Sequence, residues 1–552
     1  MCFCPWLLAA TLAAQVAPAP SAPGAKPGSI EGAVVNAVTR QPIRKAVVAV
    51  SDRRSQYSSV GVTDDAGKFT IAGLQPGLYI VIRVTAQGYE FREQARNSVA
   101  GSPIAVAEEQ QVTGVAIELT PLGAIAGKVV DEDGAPLRDV RIQAVRCEYP
   151  DGLRRYSIAG GSFTDDRGEF RVFDLSPGRY YVRAWLPPSA GYQRRRTASE
   201  ALPPNIHSSI PELEYAPAYF PDAGDLGSAT ASLVAPGSET SGLEIRLHPV
   251  PVFHIRGKVS NLPREPSRQL GVRDCGRVEV ASPSWLYIAS TEADGSFDFA
   301  GVTPGAYCVM LIPAGRDTPV YAGQTVTVAD RNLENVSLAA APMIPVSGVV
   351  RIEGQGDLPP LLNVSVQNLA NNTGTSARAR DGRFSLDNIS PDTYQVSLGG
   401  LPRGMYVKAI QYGAQEMPNG VVPIRGDGSQ LAFVVATDAG SVSGMVQTED
   451  GSLAAGAMVT AVPDDYLPGR SDLVKAAIAD STGKFNIAGV PPGPLKVYAW
   501  DSRDYYRLSM VPEFVNEFSG YAAAATVSPG GAGSVQVKLI PGEEAQRVKA
   551  RF

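Results

Sequence analysis

The 552-residue sequence predicts an all-β protein built as a tandem array of five antiparallel β-sandwiches. Three observations predict this fold: a turn-rich motif that recurs five times, a glycine-containing apolar strand upstream of each copy, and the high content of Gly (56) and Pro (44). Because one hydrophobic core rarely serves a chain of this length, several domains are expected.

The recurring motif places a glycine two residues before a phenylalanine, and places the residue that follows a proline ten residues after that glycine. Its copies are residues 63–79 (TDDAGKFTIAGLQPGLY), 164–180, 291–307, 379–394 and 479–495. Aspartates before the glycine can accept hydrogen bonds from backbone N–H groups, so we read them as turn caps rather than as catalytic or calcium-binding groups. The proline and the glycine after it predict a second turn with a left-handed residue.

Alternation within the motif predicts which side chains face a core. Phe69 and Ile71 point to one side of a strand, and Tyr394, Val396 and Leu398 share one side of another. The motif is therefore a hairpin whose phenylalanine and tyrosine fill the space between two sheets. Short strands separated by regular turns favour a sandwich of seven strands per domain.

The upstream strands and closing strands predict the domain bounds. The upstream strands are IEGAVV (30–35), IAGKVV (125–130), IRGKVS (255–260), VSGVVR (346–351) and VSGMVQ (442–447). We predict a signal peptide at 1–17, a Pro/Ala linker at 18–28, and sandwiches, called repeats 1 to 5, at 29–121, 122–250, 251–343, 344–438 and 439–552. Long insertions are predicted at 187–232 in repeat 2 and at 501–525 in repeat 5.

The first residues indicate export. An apolar run from Pro5 to Ala14 is followed by small residues, as in a secretory signal peptide, although the usual basic residues are missing. We therefore expect the protein in the periplasm, at the cell surface or secreted. No later stretch has the ~18 apolar residues of a membrane span, and the net charge of −6 disfavours a nucleic-acid partner.

Three of the five cysteines lie beyond the predicted leader, at Cys147, Cys275 and Cys308. The strand phase turns Cys308 away from the core, where a disulfide with Cys275 would suit an oxidising compartment. Cys147 is predicted to be a small core residue. No CxxC spacing is present, so no metal site is expected.

The G-x-V strand, the proline turn and the T-D-x-x-G-x-F-x-I-x-G-L-x-P-G-x-Y hairpin resemble the carboxypeptidase regulatory-like domain. The resemblance implies a transthyretin-like (prealbumin-like) seven-stranded sandwich, a carbohydrate-binding-like fold related to the Cna-B repeats of bacterial surface proteins. Repeat 1 matches the whole pattern, whereas repeat 4 has Asp392 where glycine is usual. The Cna-B relationship also implies a possible isopeptide crosslink, for which Lys258 and Asn335 are the candidates.

Catalysis is not expected, although the resemblance raises the possibility of a peptidase. The three histidines, His207, His248 and His254, have no acidic partner at metal-ligand spacing. No G-x-S-x-G nucleophile motif is present. We predict no enzyme activity, no cofactor and no catalytic residue.

Outward aromatic side chains suggest a carbohydrate site. In repeat 2, strand phase places Tyr181, Arg183 and Trp185 opposite the core, and in repeat 5 it places Tyr498 and Trp500 there. Exposed aromatic rings can stack on sugars, and arginine can bind their hydroxyls. The alternative is that the insertions of these two repeats cover the same residues.

The sequence thus predicts a non-enzymatic, exported, multi-domain protein that binds at a cell surface or in the periplasm, or acts as a structural spacer. One alternative is a carbohydrate-binding protein that uses the five residues just named. Another is an accessory subunit of a secreted peptidase or an outer-membrane transporter. The expected partner is a polysaccharide or a surface protein, and the oligomeric state stays open.

Overall fold

A computed structural model describes residues 26–52, 58–91, 104–186, 212–262, 268–274, 286–312, 320–354, 356–369, 373–549 and 551–552. The predicted signal peptide and most of the linker lie outside these residues. The chain forms two compact parts, Met1–Thr120 and Pro121–Phe552. The structure is 59% strand and 6% helix, which confirms the all-β sandwich fold. Bounds of the individual repeats stay predictions, and the repeat names keep their sequence ranges.

The first compact part holds the two facing sheets of repeat 1. Its strands are β1 (Gly28–Asn36), β2 (Val47–Asp52), β3 (Ser58–Val62), β4 (Lys68–Leu74), β5 (Gly77–Thr85), β6 (Tyr89–Glu90), β7 (Ile104–Val106) and β8 (Gln111–Pro121). One sheet has the order β4-β1-β8-β6 and the other β3-β2-β5-β7. Phe69 and Tyr79 are buried between them, as predicted.

In the second compact part, repeat 2 forms sheets β12-β9-β17 and β11-β10-β13-β15, with β16 also on β13, and the small sheet β14-β18. Its strands are β9 (Gly123–Val130), β10 (Arg141–Glu148), β11 (Arg155–Phe163), β12 (Glu169–Leu175), β13 (Gly178–Trp185), β14 (Leu213–Tyr215), β15 (Ala218–Tyr219), β16 (Ser232–Val234), β17 (Glu239–Arg246) and β18 (Pro249–Pro251). A 3-10 turn, Pro150–Gly152, follows β10.

Repeat 3 forms sheets β22-β19-β26 and β21-β20-β23-β25, with the small sheet β24-β27. Its strands are β19 (Phe253–Ser260), β20 (Gln269–Asp274), β21 (Tyr287–Ser290), β22 (Ser296–Val302), β23 (Gly305–Leu311), β24 (Val320–Tyr321), β25 (Gly323–Val328), β26 (Leu333–Ala339) and β27 (Ala341–Pro342).

Repeat 4 forms sheets β31-β28-β36-β33-β34 and β30-β29-β32-β35. Its strands are β28 (Ile344–Glu353), β29 (Leu362–Asn368), β30 (Gly374–Ala379), β31 (Arg383–Ile389), β32 (Asp392–Gly399), β33 (Tyr406–Tyr412), β34 (Gln415–Glu416), β35 (Val421–Ile424) and β36 (Leu431–Ala436). Tyr394, Val396 and Leu398 are buried, which confirms the predicted strand phase.

Repeat 5 forms one continuous sheet, β39-β38-β41-β43-β37-β40, with β42 added on β41. Its strands are β37 (Gly440–Gln447), β38 (Met458–Pro463), β39 (Lys475–Ile478), β40 (Lys484–Val490), β41 (Gly493–Trp500), β42 (Ala523–Val527) and β43 (Ala532–Ile540). Helices α1 (Pro512–Asn516) and α2 (Gly542–Lys549) accompany 3-10 turns at Ser471–Leu473, Arg503–Tyr505, Leu508–Met510 and Ser519–Tyr521. No helix in the described ranges is long and apolar enough to cross a membrane.

Every repeat contains a parallel pair formed by its first strand and a late strand, and repeat 5 has a second one, β41/β43; the antiparallel prediction contained neither. The pairs are β1/β8, β9/β17, β19/β26, β28/β36 and β37/β43, the first and a late strand of each repeat. A hairpin motif in the sequence predicts only the antiparallel pairing of the two strands that it joins. The first and late strands of each repeat are separated in sequence by most of the length of the repeat, so no local sequence pattern predicts their pairing.

The repeated glycine of the upstream strand lies opposite the repeated phenylalanine. The upstream glycine of each repeat pairs directly with the hairpin phenylalanine: Gly32 with Phe69, Gly127 with Phe170, Gly257 with Phe297, Gly348 with Phe384 and Gly444 with Phe485. A β-carbon on any of these glycines would overlap the facing strand or the phenylalanine ring. Glycine is therefore required by close approach at this position, and the ring fills the space that the missing side chain leaves.

The aspartates of the motif are turn caps, as predicted. Asp64 Oδ1 accepts hydrogen bonds from the backbone N–H groups of Ala66 (2.9 Å) and Lys68 (2.8 Å). Asp165 and Asp480 make the same pair of bonds in repeats 2 and 5. These carboxylates are committed to the backbone of their own turns.

In repeats 1 to 4 the left-handed residue of the second turn is not where the sequence predicted it. The residue after the proline lacks a positive φ there, whereas Gly493 of repeat 5 has one, at 134°. In every repeat a residue four positions earlier is left-handed: Gly73, Asp174, Gly301, Asn388 and Gly489. Strand pairing shifts register at these residues, as at a bulge. Asp392 therefore fits its turn without strain, because in repeat 4 that position does not have a positive φ.

A tyrosine hydroxyl closes the same turn in four repeats. Tyr79, Tyr180, Tyr307 and Tyr394 each donate to the carbonyl oxygen four residues upstream, at 2.9, 2.5, 3.0 and 2.9 Å. The phenol of a core tyrosine thus satisfies a turn carbonyl beside the core. Repeat 5 has Leu495 in this place and lacks the bond.

Candidate functional site

The predicted aromatic platform of repeat 5 is not exposed. Trp500 is 0% and Tyr498 1% exposed, so the prediction of an open sugar-stacking face is wrong here. Trp500 Nε1 donates to Thr460 Oγ1 at 3.0 Å, which satisfies its polar group inside the protein. Burial raises the pKa of Tyr498 to about 12, with Asp464 adding to the effect, so its phenol stays neutral.

The insertion of repeat 5 covers this platform, which confirms the alternative prediction. The ring centroid of Trp500 lies 5.4 Å from Tyr505, 5.6 Å from Phe514 and 5.2 Å from Phe518, all contributed by residues 501–525. Helix α2 then holds the insertion, since Tyr521 donates to Glu544 Oε2 at 2.7 Å. The outward face of the sheet is a second hydrophobic core.

The predicted platform of repeat 2 is also covered. Arg183 is 6% and Trp185 5% exposed, and Tyr181 is half-buried, so the predicted exposure is wrong for the arginine and the tryptophan. Arg183 lies 5.7 Å over the ring of Tyr219, and Tyr181 contacts Tyr156 edge-on. Trp185 belongs to the hydrophobic core of repeat 3, which also contains Ile255 and Val272. These side chains join neighbouring elements instead of facing solvent.

Cys308 is half-buried and disulfide-bonded, while the neighbouring Tyr307 and Val309 fill the core, as the phase predicted. Cys275 lies outside the described residues, so its pairing with Cys308 stays a prediction. Cys147 is a half-buried free thiol whose pKa is raised, chiefly by burial. Lys258 donates to Asp294 Oδ2 at 3.1 Å on the surface, and its crosslink to Asn335 stays a prediction.

Loop 464–474 of repeat 5 contacts repeat 2 across more than 300 residues of sequence. The N–H of Gly469 donates to the carbonyl oxygen of Asp151 at 2.7 Å, and Ser471 Oγ donates to Asp151 Oδ1 at 2.8 Å. Asp151 has a left-handed backbone, with φ 56°, inside the 3-10 turn that presents it. Gly152 lies against the Met510 carbonyl with no room for a β-carbon.

The same loop contacts repeat 4. Gln395 Nε2 donates to the carbonyl oxygen of Gly469 at 2.8 Å, and Arg470 Nη2 donates to that of Val407 at 2.5 Å. Only 4% of the Arg470 side chain is exposed, and Asp472 accepts from it at 2.9 and 3.0 Å. Because a buried charge without such partners is costly, the guanidinium fixes this loop in one position.

Loop 464–474, Asp151 and Gln395 therefore form a three-repeat junction. Phe552 adds to it, with its ring 6.1 Å from Tyr149 of repeat 2 and 5.4 Å from Phe514 of repeat 5. The sequence carried no signal for this site, because its partners are separated by hundreds of residues and belong to no motif.

An open groove of about 610 Å³ lies between β25 and β26 of repeat 3. Most of the side chains that line it carry amides or hydroxyls, among them Gln324, Thr327, Asn332 and Asn335. Arg331 and Glu334 are the charged residues of the lining. None of the lining residues is aromatic, so the groove offers no ring on which a sugar could stack.

The described histidines are surface residues paired with acids. His248 Nε2 lies 3.2 Å from Asp222, and His254 Nδ1 lies 2.7 Å from Asp298. In the part of the chain that the structure describes, no group of three or more His, Cys, Asp or Glu side chains is arranged to hold a metal ion. His207 lies outside the described residues.

Residues 29–120 match the family model of the carboxypeptidase regulatory-like domain, which confirms the predicted resemblance for repeat 1. A comparison with curated proteins finds no match. Solved structures similar to the chain include a streptococcal ancillary pilin, 13% identical, covering 57% of this chain and 100% of its own, with a TM-score of 0.19. A minor pilin of Streptococcus agalactiae is 14% identical and covers 44% of this chain and 100% of its own, with a TM-score of 0.22.

Two B repeat units of the collagen-binding protein of Staphylococcus aureus are 9% identical. They cover 76% of this chain and 99% of their own, with a TM-score of 0.14. Likenesses at this level do not establish a function.

Proposed function

We propose that the protein is a non-catalytic structural scaffold that acts outside the cytoplasm, at a cell surface or in the periplasm, where it presents its repeats to a surface protein. The three-repeat junction carries this proposal. A flexible string of domains would join its repeats by exposed linkers, whereas here buried side chains and main-chain hydrogen bonds join repeats 2, 4 and 5. Export is inferred from the leader-like residues 1–17.

The fate of the predicted sugar platforms supports the same proposal. The large side chains that could have bound a ligand, Trp185 and Trp500, are buried against neighbouring repeats or insertions. Buried aromatic area stabilises a scaffold and cannot at the same time meet a polysaccharide. Polysaccharide binding at these residues is therefore not part of the proposed function.

Replacing Asp151 by alanine tests the junction in the full-length protein. We expect the loss of the Ser471 hydrogen bond to weaken the docking of loop 464–474 by about 1–3 kcal/mol. Backbone amides of the loop, measured by hydrogen exchange, should then exchange roughly ten times faster or more.

Asp139→Ala is the matched control. Asp139 lies in the same repeat and is also left-handed, with φ 52°, but among the described residues its carboxylate forms an ion pair with the neighbouring Arg138, at 3.6 Å, and not with loop 464–474. Equal rates of amide exchange in loop 464–474 of both variants would contradict the junction. The protein would then be better described as a string of independent repeats.

A further inference from the structure

Strand β3 of repeat 1 carries an unusual exposed apolar strip. Val60 is 61% and Val62 60% exposed, and Val47 on the adjacent β2 is 37% exposed. Val47 and Val62 are direct cross-strand neighbours, so the three side chains form one strip, here called the edge strip. Both valines face solvent because side chains alternate along a strand, and Gly61 between them is buried on the side of the core.

The backbone of β3 is available for pairing. Sheet order β3-β2-β5-β7 places β3 at an edge, and among the described residues β3 pairs only with β2. Every second residue of such a strand directs its N–H and C=O away from the sheet, which makes an edge a template for another strand.

Charged side chains usually protect exposed edge strands from pairing with another chain, and β3, with the sequence SSVGV, has no charged side chain. Outer strands in the same place in repeats 2, 4 and 5 carry Arg155, Arg378 and Lys475. The outer strand of repeat 3, β21, is also uncharged, but it has one strongly exposed large apolar side chain, Ile288, where β3 has two. Because a row of unpaired backbone groups beside exposed valines promotes association, this edge is suited to a partner strand.

We propose that β3 pairs with β3 of a second copy of this chain, antiparallel, about a two-fold axis at Val60. The strand is self-complementary: this axis places Val60 opposite Val60 and each Val62 opposite Ser58, all on the exposed face. An uncharged strand meets its own copy without repulsion, whereas a charged partner would find no counter-charge on β3. Two four-stranded sheets then become one sheet of eight strands, with both edge strips in a single apolar patch.

Charge-swapped variants of Val60 in the full-length protein test this pairing by sedimentation equilibrium. Val60→Lys alone and Val60→Glu alone each place two like charges on the axis. We expect each to weaken dimerisation about tenfold or more relative to the wild type. An equimolar mixture of the two variants places lysine opposite glutamate, and we expect it to associate again. Circular dichroism checks that each variant is folded.

Ile288→Lys is the matched control. Ile288 is 58% exposed on β21, the outer strand at the same place in repeat 3, and its replacement should leave association unchanged. A wild-type protein that stays monomeric at its highest soluble concentration would overturn the proposal. A lysine–glutamate mixture that stays monomeric would also overturn it. The wild-type protein would then associate without placing Val60 opposite Val60. Neither result would contradict the proposed junction of repeats 2, 4 and 5, which the Asp151 variant tests separately.

Discussion

Replacing Trp500 by alanine is expected to lower the local free energy of unfolding of repeat 5 by about 3–5 kcal/mol. The indole is fully buried between its own sheet and the rings of Tyr505, Phe514 and Phe518. Its removal leaves a cavity in that second core and leaves Thr460 without its partner. Hydrogen exchange of β38 and β41, followed across urea concentrations, measures the loss.

Leu453→Ala in the same repeat is the control for Trp500→Ala. Leu453 is 51% exposed, so its truncation should change the same free energy by less than about 0.5 kcal/mol. Similar effects for both variants would mean that Trp500 is not buried in solution. The outward face of repeat 5 would then be open again as a ligand surface.

Gly444→Ala is the second substitution with a large expected effect. A β-carbon on Gly444 would overlap the carbonyl oxygen of Val535 and lie 3.0 Å from the ring of Phe485. The parallel pair β37/β43 would have to separate, at a cost of about 2–3 kcal/mol. The midpoint of urea unfolding of repeat 5 should fall accordingly.

Gly520→Ala controls for the loss of a glycine as such. Gly520 lies in the same repeat, has no positive φ, and has open space where a β-carbon would stand. That variant should be neutral or slightly stabilising. If Gly444→Ala were equally well tolerated, the pairing of the repeated glycine with the repeated phenylalanine would not be a packing requirement.

Strand phase was predictable from the sequence because alternation is local. It placed Phe69, Tyr180 and Val396 in their cores without knowledge of the partner strands. The burial of Trp185 and Trp500 was not predictable in the same way. Alternation separates the two faces of a strand, but it does not reveal what lies against the outer face.

Other features depend on residues that are distant in sequence. Asp151 and Ser471 meet across 320 positions, and neither belongs to the repeated motif. The left-handed position at Gly73 was misplaced for a different reason. Proline–glycine is a common turn pair and therefore predicts a left-handed glycine, whereas the left-handed position lies at a bulge that Asp174 and Asn388 occupy in other repeats.

The parallel strand pairs decide how a repeat responds to tension. In repeat 4, the register runs from Gly348 opposite Leu431 to Glu353 opposite Ala436. Force applied at Ile344 and Ala436 therefore pulls on opposite ends of neighbouring strands and loads all their hydrogen bonds together, in shear. Force applied at Ile344 and Ile389, which face each other in the antiparallel pair β28/β31, opens the bonds one at a time.

Single-molecule stretching of the full chain through these two pairs of attachment points should give the higher rupture force for Ile344 and Ala436. Equal forces would show that the parallel pair does not bear the load. A protein stretched through successive repeats would meet the stronger geometry each time. Resistance to pulling is then a property of the strand order itself.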